Sequence, residues 1–354
     1  MRNISILMIA VLALASSCKK DDTNPDTSQY TIYVAGQYDL NSGCYWKNGE
    51  RTDFGLITMI TGMSESNGNV YVSGYYNDGV ACFWKNGVKT DLPFVSTVSE
   101  EYRVAYAFGI YAAGNDVYTV GRYNASDEFP YMSRVQPCYW KNTTCNDITD
   151  YPDRYAELSS IYVSSGNVYV GGNYNVPGTS PSWETQACYW KNGVKTDLPG
   201  NKSKVTGIFV ENSKVYAVGE YNLNFGGVGQ PCYWVEGQKF DLPTGNATMT
   251  YTKAIFVDNG TVYTAGYCIL DDYAHACFWK ENRQTRMERR TTASSIYVKD
   301  GIVFTCGSFS EKRSNDNKYQ SFPCYWTNTK RTELSVTGDL QNTERNDAVG
   351  IFVE

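Results

Sequence analysis

The sequence predicts an all-β protein, a seven-bladed β-propeller of four-stranded antiparallel blades, on three observations. A cysteine–aromatic–tryptophan tripeptide recurs seven times, with tryptophans at Trp46, Trp84, Trp140, Trp190, Trp234, Trp279 and Trp326, 38 to 56 residues apart. The residues around each copy alternate in parity over short β-branched and aromatic runs, and no segment carries a helical period. The two ends of the repeat region complement each other, which a closed ring requires and an open solenoid does not. Repeats of about 40–50 residues, each holding four short strands, are the signature of propeller blades.

The fifth copy shows the unit. Val205 to Val210 alternate and run to a polar turn at Glu211-Asn212-Ser213. Lys214 to Tyr221 follow, then a loop, then Cys232-Tyr233-Trp234, a turn at Glu236-Gly237 and Lys239 to Leu242. Asn86-Gly87 and Asn192-Gly193 suit type I′ hairpins, which need positive φ at both central residues. The first copy begins at its second strand, Tyr30 to Tyr38, and Ala348 to Glu354 match the missing first strand. Val349 to Val353 are therefore expected to pair with Thr31 to Val34 and close the ring. Each first strand carries a small residue, Gly62, Gly109, Ser160, Gly207, Ala254, Ser295 or Gly350, where inner strands converge on the axis. The seven repeat cysteines are expected as buried fillers, too far apart across blades for disulfides. Cys145, Cys268 and Cys306 are additional, and the spacing shows no even disulfide framework.

Composition narrows the functional classes. The net charge is −6 and there is no basic run, so nucleic acid binding has no electrostatic support. Hydrophobic residues make up 42%, enough for a sizeable core. There is no Cys-x-x-Cys pair, phosphate loop or nucleophile elbow, so no metal, cofactor or catalytic residue is assigned. The single histidine, His275, reads as a surface residue. A monomer is expected.

Candidate binding residues fall on one face. The turns between first and second strands, and between third and fourth, are short. Long, variable connections, Asn124 to Gln136, Asn175 to Gln186, Asn222 to Gln230, Leu270 to His275 and Ser310 to Phe322, open on the other face. Their aromatics include Phe129, Tyr131, Trp183, Phe225, Tyr273, Tyr319 and Phe322. Trp183 is the one tryptophan outside the repeat, and Tyr131 and Phe225 lie on neighbouring copies. The leading ends of the first strands bring Met59, Tyr106, Glu157, Lys204, Tyr251, Thr292 and Asp347 to the channel mouth on that face. Stacking on Trp183, Tyr131 and Phe225, with hydrogen bonds from Tyr106, Glu157, Lys204, Tyr251 and Asp347, points to a glycan or peptide ligand. Glu157 and Asp347 form the acid pair that a glycosidase reading would use.

At the N-terminus, Arg2 precedes a short apolar run, Ile4 to Ala15, too short to span a bilayer. Ala15-Ser16-Ser17-Cys18 resembles the lipobox of a bacterial lipoprotein, without the usual leucine three places before the cysteine. Residues 1–17 then read as a signal peptide, Cys18 as the lipidated residue, 18–29 as a polar tether and 30–354 as the propeller. Cys18-Lys19-Lys20-Asp21-Asp22 resembles the export signal of surface lipoproteins, which implies outer-membrane anchoring. The fragments Ala81 to Leu92 and Ala187 to Leu198 resemble the HAF-type extracellular repeat, with Leu-Pro where that family has Leu-Gly. That resemblance implies an extracellular propeller and no particular chemistry. The expected role is a cell-surface binding module; the alternatives are a carbohydrate-active enzyme at the channel mouth and a structural scaffold of the envelope.

Overall fold

The computed structural model describes residues 25–38, 42–55, 58–77, 79–126, 134–148, 156–176, 184–224, 226, 228–312, 319–336 and 346–354. The signal segment, Cys18, Phe129, Tyr131, Trp183 and Phe225 lie outside these residues. The described residues form seven four-stranded antiparallel sheets. The innermost strands touch one another in cyclic order, so the sheets close into a seven-bladed propeller. One helical turn, Glu100–Tyr102, lies in a connection.

Blade 1 is built from both ends of the chain. Asp347–Val353 is its innermost strand and pairs with Ile32–Tyr38, in the register Ile32↔Val353, Tyr33↔Phe352 and Val34↔Ile351. Thr31 and Glu354 extend the ladder with two backbone hydrogen bonds of 3.1 and 2.9 Å. The expected closure is therefore present, and it satisfies two sheet edges that would otherwise be open. Blades 2 to 7 follow in chain order, their innermost strands being Thr58–Ser66, Ala105–Ala113, Ala156–Ser164, Lys204–Glu211, Met249–Asp258 and Thr291–Lys299.

The hairpin expectations hold where Asn-Gly occurs: Asn86 and Gly87 have φ of 50° and 86°, Asn192 and Gly193 51° and 83°. One connection differs. Leu270 to His275 is not a long loop. Strands Thr261–Leu270 and Tyr273–Lys280 meet across Asp271 and Asp272, with φ of 48° and 64°. Aspartate tolerates this left-handed backbone better than most residues, so Asp-Asp turns the chain without glycine. His275 consequently sits on a strand, its Nδ1 3.2 Å from the Met287 carbonyl.

The repeat residues hold the blades to one another. All seven repeat tryptophans are buried. Four indole N–H groups donate to a backbone carbonyl of the preceding blade: Trp140 to Pro93, Trp234 to Pro199, Trp279 to Pro243 and Trp46 to Ser335, at 2.7 to 3.1 Å. This accounts for the Asp-Leu-Pro ending of several copies. Leucine enters the core, and the carbonyl after it caps the next tryptophan. The Lys-x-Asp pair before that leucine has its own role. In blade 5 the Lys239 ammonium lies 3.2 Å from the Tyr221 ring centroid and 2.8 Å from Asp241. Lys89, Tyr76 and Asp91 repeat this in blade 2, Lys195, Tyr174 and Asp197 in blade 4, Arg51, Tyr38 and Asp53 in blade 1, and Arg331, Phe309 and Glu333 in blade 7. Some of the tyrosines serve these clusters and a girdle of rings passing from blade to blade. The girdle runs Tyr111, Tyr162, Phe209, Phe256, Tyr297 and Phe352, with centroids 4.4 to 5.1 Å apart.

Candidate functional site at the channel mouth

The mouth is built by a β-bulge repeated in every blade. The first strand slips register once against the second, between Ile60 and Gly62, Ala107 and Gly109, Leu158 and Ser160, Val205 and Gly207, Thr252 and Ala254, and Ala293 and Ser295. In blade 1 the slip falls opposite Ala35 and Gly36 and leaves out Val349. The unpaired residues Thr61, Phe108, Ser159, Thr206, Lys253, Ser294 and Val349 line the central channel, which has a volume of about 170 Å³. The small ring follows directly. A β-carbon on Gly109 would sit 3.5 Å from the Ser159 carbonyl oxygen of the next blade, and one on Gly350 would meet Met63 of blade 2 at 2.5 Å. At Gly350 packing on the neighbouring blade thus excludes a side chain, while at Gly109 a β-carbon would reach ordinary contact with the next blade.

The bulge needs a second set of glycines, which the sequence reading passed over. Gly36, Gly74, Gly121, Gly172, Gly219, Gly266 and Gly307 occupy one position on the seven second strands. A β-carbon on each would collide with the backbone carbonyl of Asp347, Met59, Tyr106, Glu157, Lys204, Tyr251 or Thr292, respectively. Those seven are the mouth residues. Glycine inside a strand marks a bulge or a close backbone approach, and here it marks both.

Each mouth residue lies opposite a second-strand residue, the one after the glycine. The pairs are Asp347↔Gln37, Met59↔Tyr75, Tyr106↔Arg122, Glu157↔Asn173, Lys204↔Glu220, Tyr251↔Tyr267 and Thr292↔Ser308. The mouth is therefore a double ring, of which the sequence exposed one half. Tyr251 and Tyr267 stack at 4.7 Å, and the Thr292 and Ser308 hydroxyls are 2.9 Å apart. The Arg122 guanidinium is 5.7 Å from the Tyr106 ring and 5.5 Å from the Phe108 ring. Asp347 is 3.5 Å from the Ser321 hydroxyl.

Lys204 has a partner within its own blade. Its ammonium is 3.1 Å from Glu220, whose side chain is 1% exposed, so this lysine neutralises a buried acid as well as facing the mouth. The other Glu220 oxygen accepts the Thr252 N–H of blade 6 at 2.9 Å, as Gln37 accepts Ile60 N–H between blades 1 and 2. Lys253 completes this side. Its side chain is exposed to the channel, and the protein walls around that channel, with Lys204 close by, hold its ammonium below the ordinary pKa of 10.5.

These groups concentrate on one side. A cleft of about 380 Å³ opens between blades 3, 4 and 5, lined by Phe108, Arg122, Glu157, Asn173, Lys204 and Thr206 among others. Glu157 is exposed there, and its carboxylate has no hydrogen bond or ion pair among the described residues. Arg122, the Glu220-paired Lys204 and the Glu157 carboxylate together present donors and an acceptor to a ligand that offers both an anionic group and hydroxyl or N–H donors. Asp347 is on blade 1, three blades from Glu157, so the two are not neighbours in the ring. Phe322, expected as a loop aromatic, stacks on Phe309 at 5.3 Å against the core. Tyr273 and Tyr319 instead sandwich the Arg290 guanidinium at 4.2 and 3.7 Å. Among the described residues there is no cluster of metal-ligating side chains and no helix long and apolar enough to cross a membrane.

No protein-family model matches the chain, and no curated protein matches it. Among solved structures it is similar to Pyrococcus horikoshii acylaminoacyl peptidase, with 10% identity and a TM-score of 0.52 over 87% of this chain. The chain spans half the length of that peptidase. It is also similar to the β-propeller domain of the trilobed protease from Pyrococcus furiosus, with 8% identity, a TM-score of 0.50 and coverage of 87% of this chain and 92% of that one. At such identities the likeness is one of fold, and it places the chain among β-propellers. The Pyrococcus furiosus domain is described as having an open velcro topology, whereas here blade 1 joins both ends of the chain.

Proposed function

We propose that this propeller is an exported, lipid-anchored binding module that takes an acidic saccharide into the cleft between blades 3, 4 and 5. The observation that carries this reading is the placement of Arg122, Glu157 and Lys204 around one cleft while the rest of the mouth ring is mostly neutral. Arg122 and Lys204 supply donors for a carboxylate or sulfate, and Glu157 accepts from ring hydroxyls. Tyr106 and Phe108 offer aromatic surface beside them. Trp183, Tyr131 and Phe225, on the connections of the same and neighbouring blades, would extend the surface over a longer glycan. The segment up to Cys18 and the HAF-like fragments fit an envelope lipoprotein.

The test is an array of acidic glycans, neutral glycans and short peptides, probed with the purified chain. Acidic glycans should bind. Arg122→Gln, Glu157→Gln and Trp183→Ala should each weaken binding more than tenfold, about 1.4 kcal/mol. Trp183→Ala should do so with the melting curve nearly unchanged. Equal capture of neutral glycans or of peptides, or binding indifferent to Arg122 and Glu157, would reject this ligand class. Lost stability with intact binding in Trp183→Ala would make Trp183 a packing residue. A Cys18→Ser protein still held on membranes would remove the lipid anchor from the proposal.

A further inference from the structure

The cleft between blades 3, 4 and 5 holds a buried amide that no other part of the described chain satisfies. Asn173 lines the cleft and is 5% exposed, and its side chain makes no hydrogen bond among the described residues. A buried amide without a partner costs stability, and native folds keep few of them. The other blades show how this one arises. Gln37 and Glu220 hold the same place on blades 1 and 5, directly after the second-strand glycine, and both are buried. Each reaches across to the next blade, Gln37 to the Ile60 N–H at 3.3 Å and Glu220 to the Thr252 N–H at 2.9 Å. Asparagine is one methylene shorter than either, and Asn173 makes no such bond to blade 5.

Its surroundings define what the amide can read. Glu157 faces Asn173 across the strand pair. Val205 of blade 5 turns its side chain toward blade 4, where a β-carbon on Gly171 would meet it at 2.8 Å. Asn173 is two residues from Gly171 and projects to that same side, so its amide lies beside an apolar wall. Arg122 holds the corresponding place on blade 3 and lines the same cleft. A side-chain amide offers a carbonyl acceptor and an NH₂ donor side by side. A secondary amide presents the complementary N–H and C=O and can engage both. A single hydroxyl engages one of them, and a carboxylate only the donor.

We propose that the cleft selects an N-acylated acidic sugar, with Asn173 as the residue that reads the acylamino group; this rests on the acidic-saccharide reading above and narrows it. The carboxylate of the sugar takes donors from Arg122. The acylamino N–H donates to the Asn173 carbonyl, its C=O accepts from the Asn173 NH₂, and the acyl methyl rests against Val205. Glu157 accepts from the neighbouring ring hydroxyls. An acid that carries a hydroxyl in place of the acylamino group would leave the Asn173 amide half-satisfied in a buried place, which is where strong discrimination comes from.

Ligand-observed NMR on the purified chain tests this with two pairs of methyl glycosides: glucuronic acid against N-acetylglucosaminuronic acid, and galacturonic acid against N-acetylgalactosaminuronic acid. Within a pair the change is from hydroxyl to acetamido. In at least one pair the acetamido acid should bind about tenfold tighter or more. Asn173→Ala should bind both members of that pair alike. Asn173→Gln, whose longer amide can reach blade 5 as Gln37 reaches blade 2, should lose the preference too, while melting no lower than the unmodified protein. If the unmodified chain binds the two acids of each pair equally, this inference fails and the acidic-saccharide reading stands; if it binds none of the four, both fail. A preference that survives in both variants would remove Asn173 from the proposal. N-acetylglycine bound as tightly as the acetamido acids would replace the sugar by an acylated peptide and overturn it.

Discussion

Lys204, Glu220 and Lys253 form the most consequential side-chain cluster of the mouth. A buried carboxylate is tolerable only when paired and hydrogen-bonded, and Glu220 has Lys204 at 3.1 Å and the Thr252 N–H at 2.9 Å. Lys253 adds a second cation to the same neighbourhood, exposed to the channel but with protein around it and Lys204 nearby disfavouring its charge. With a folded pKa below its unfolded value, Lys253 costs stability at every pH below the folded pKa. That cost is relieved as pH rises from there toward 10.5, because the unfolded chain then releases its proton too. Lys253→Met should therefore melt higher than the unmodified protein at neutral pH, with the gap narrowing as pH rises toward 10.5. A gap that does not narrow would show that the fold does not disfavour the Lys253 charge, and a variant that melts lower would show that Lys253 is stabilising. Nothing in the sequence signalled this cluster. Lys204 was legible as a mouth residue from its place before the first strand's small residue, but Glu220 reads there as one more polar residue in an alternating strand. Its burial follows from the adjoining blade, which alternation within one strand does not report.

The blade strands themselves were largely legible, since tryptophan, cysteine and Asn-Gly turns recur in register. What escaped was the bulge. It adds one residue without interrupting the apolar pattern enough to be seen, and its trace is the glycine at one position of every second strand. At Gly219 a β-carbon would run into the Lys204 carbonyl, so the two strands could not keep their separation. Gly219→Ala should cost about 3 kcal/mol or more, at the upper end of overpacking effects. Gly193→Ala is the comparison, because Gly193 lies in a turn with φ of 83° and open space around it. It should cost only about 1–2 kcal/mol, from the left-handed backbone. Chemical denaturation of both variants decides the matter; an equal or smaller loss at Gly219 would mean that the first strand yields easily and that the mouth is not held by these contacts. The other misreading was the length of the Leu270 to His275 connection, where Asp-Asp supplied a tight turn that glycine usually marks.

For the whole molecule, closure through Asp347–Val353 was the most informative reading, because a repeat count alone does not distinguish a ring from a stack. It was legible because the first copy lacks a strand that the final residues supply. Removing residues 348–354 takes away the innermost strand of blade 1, the partner of Ile32–Tyr38, and the residues Ala348, Ile351 and Val353 from the core between blades 7 and 1. Three fully buried apolar side chains and a strand ladder are lost together, so the truncated chain should melt far lower or aggregate through its exposed edges. An unchanged melting temperature would show that the ring holds without this strand. The candidate ligand site was legible in outline only: the mouth positions came from the repeat alignment. Concentration of charge between blades 3 and 5 emerges once the second strand's Arg122 and Asn173 are set beside Glu157 and Lys204.

Blade 1 also sets a clock. Ile32–Tyr38 is synthesised before its partner Asp347–Val353, which comes more than 300 residues later. Until then blades 2 to 7 can pair locally while the first blade waits with an unpaired edge. Contacts of such sequence separation are slow to form. The interval between the two strands is thus the period in which the chain is most open to proteases and chaperones, and completion of one blade ends it for all seven.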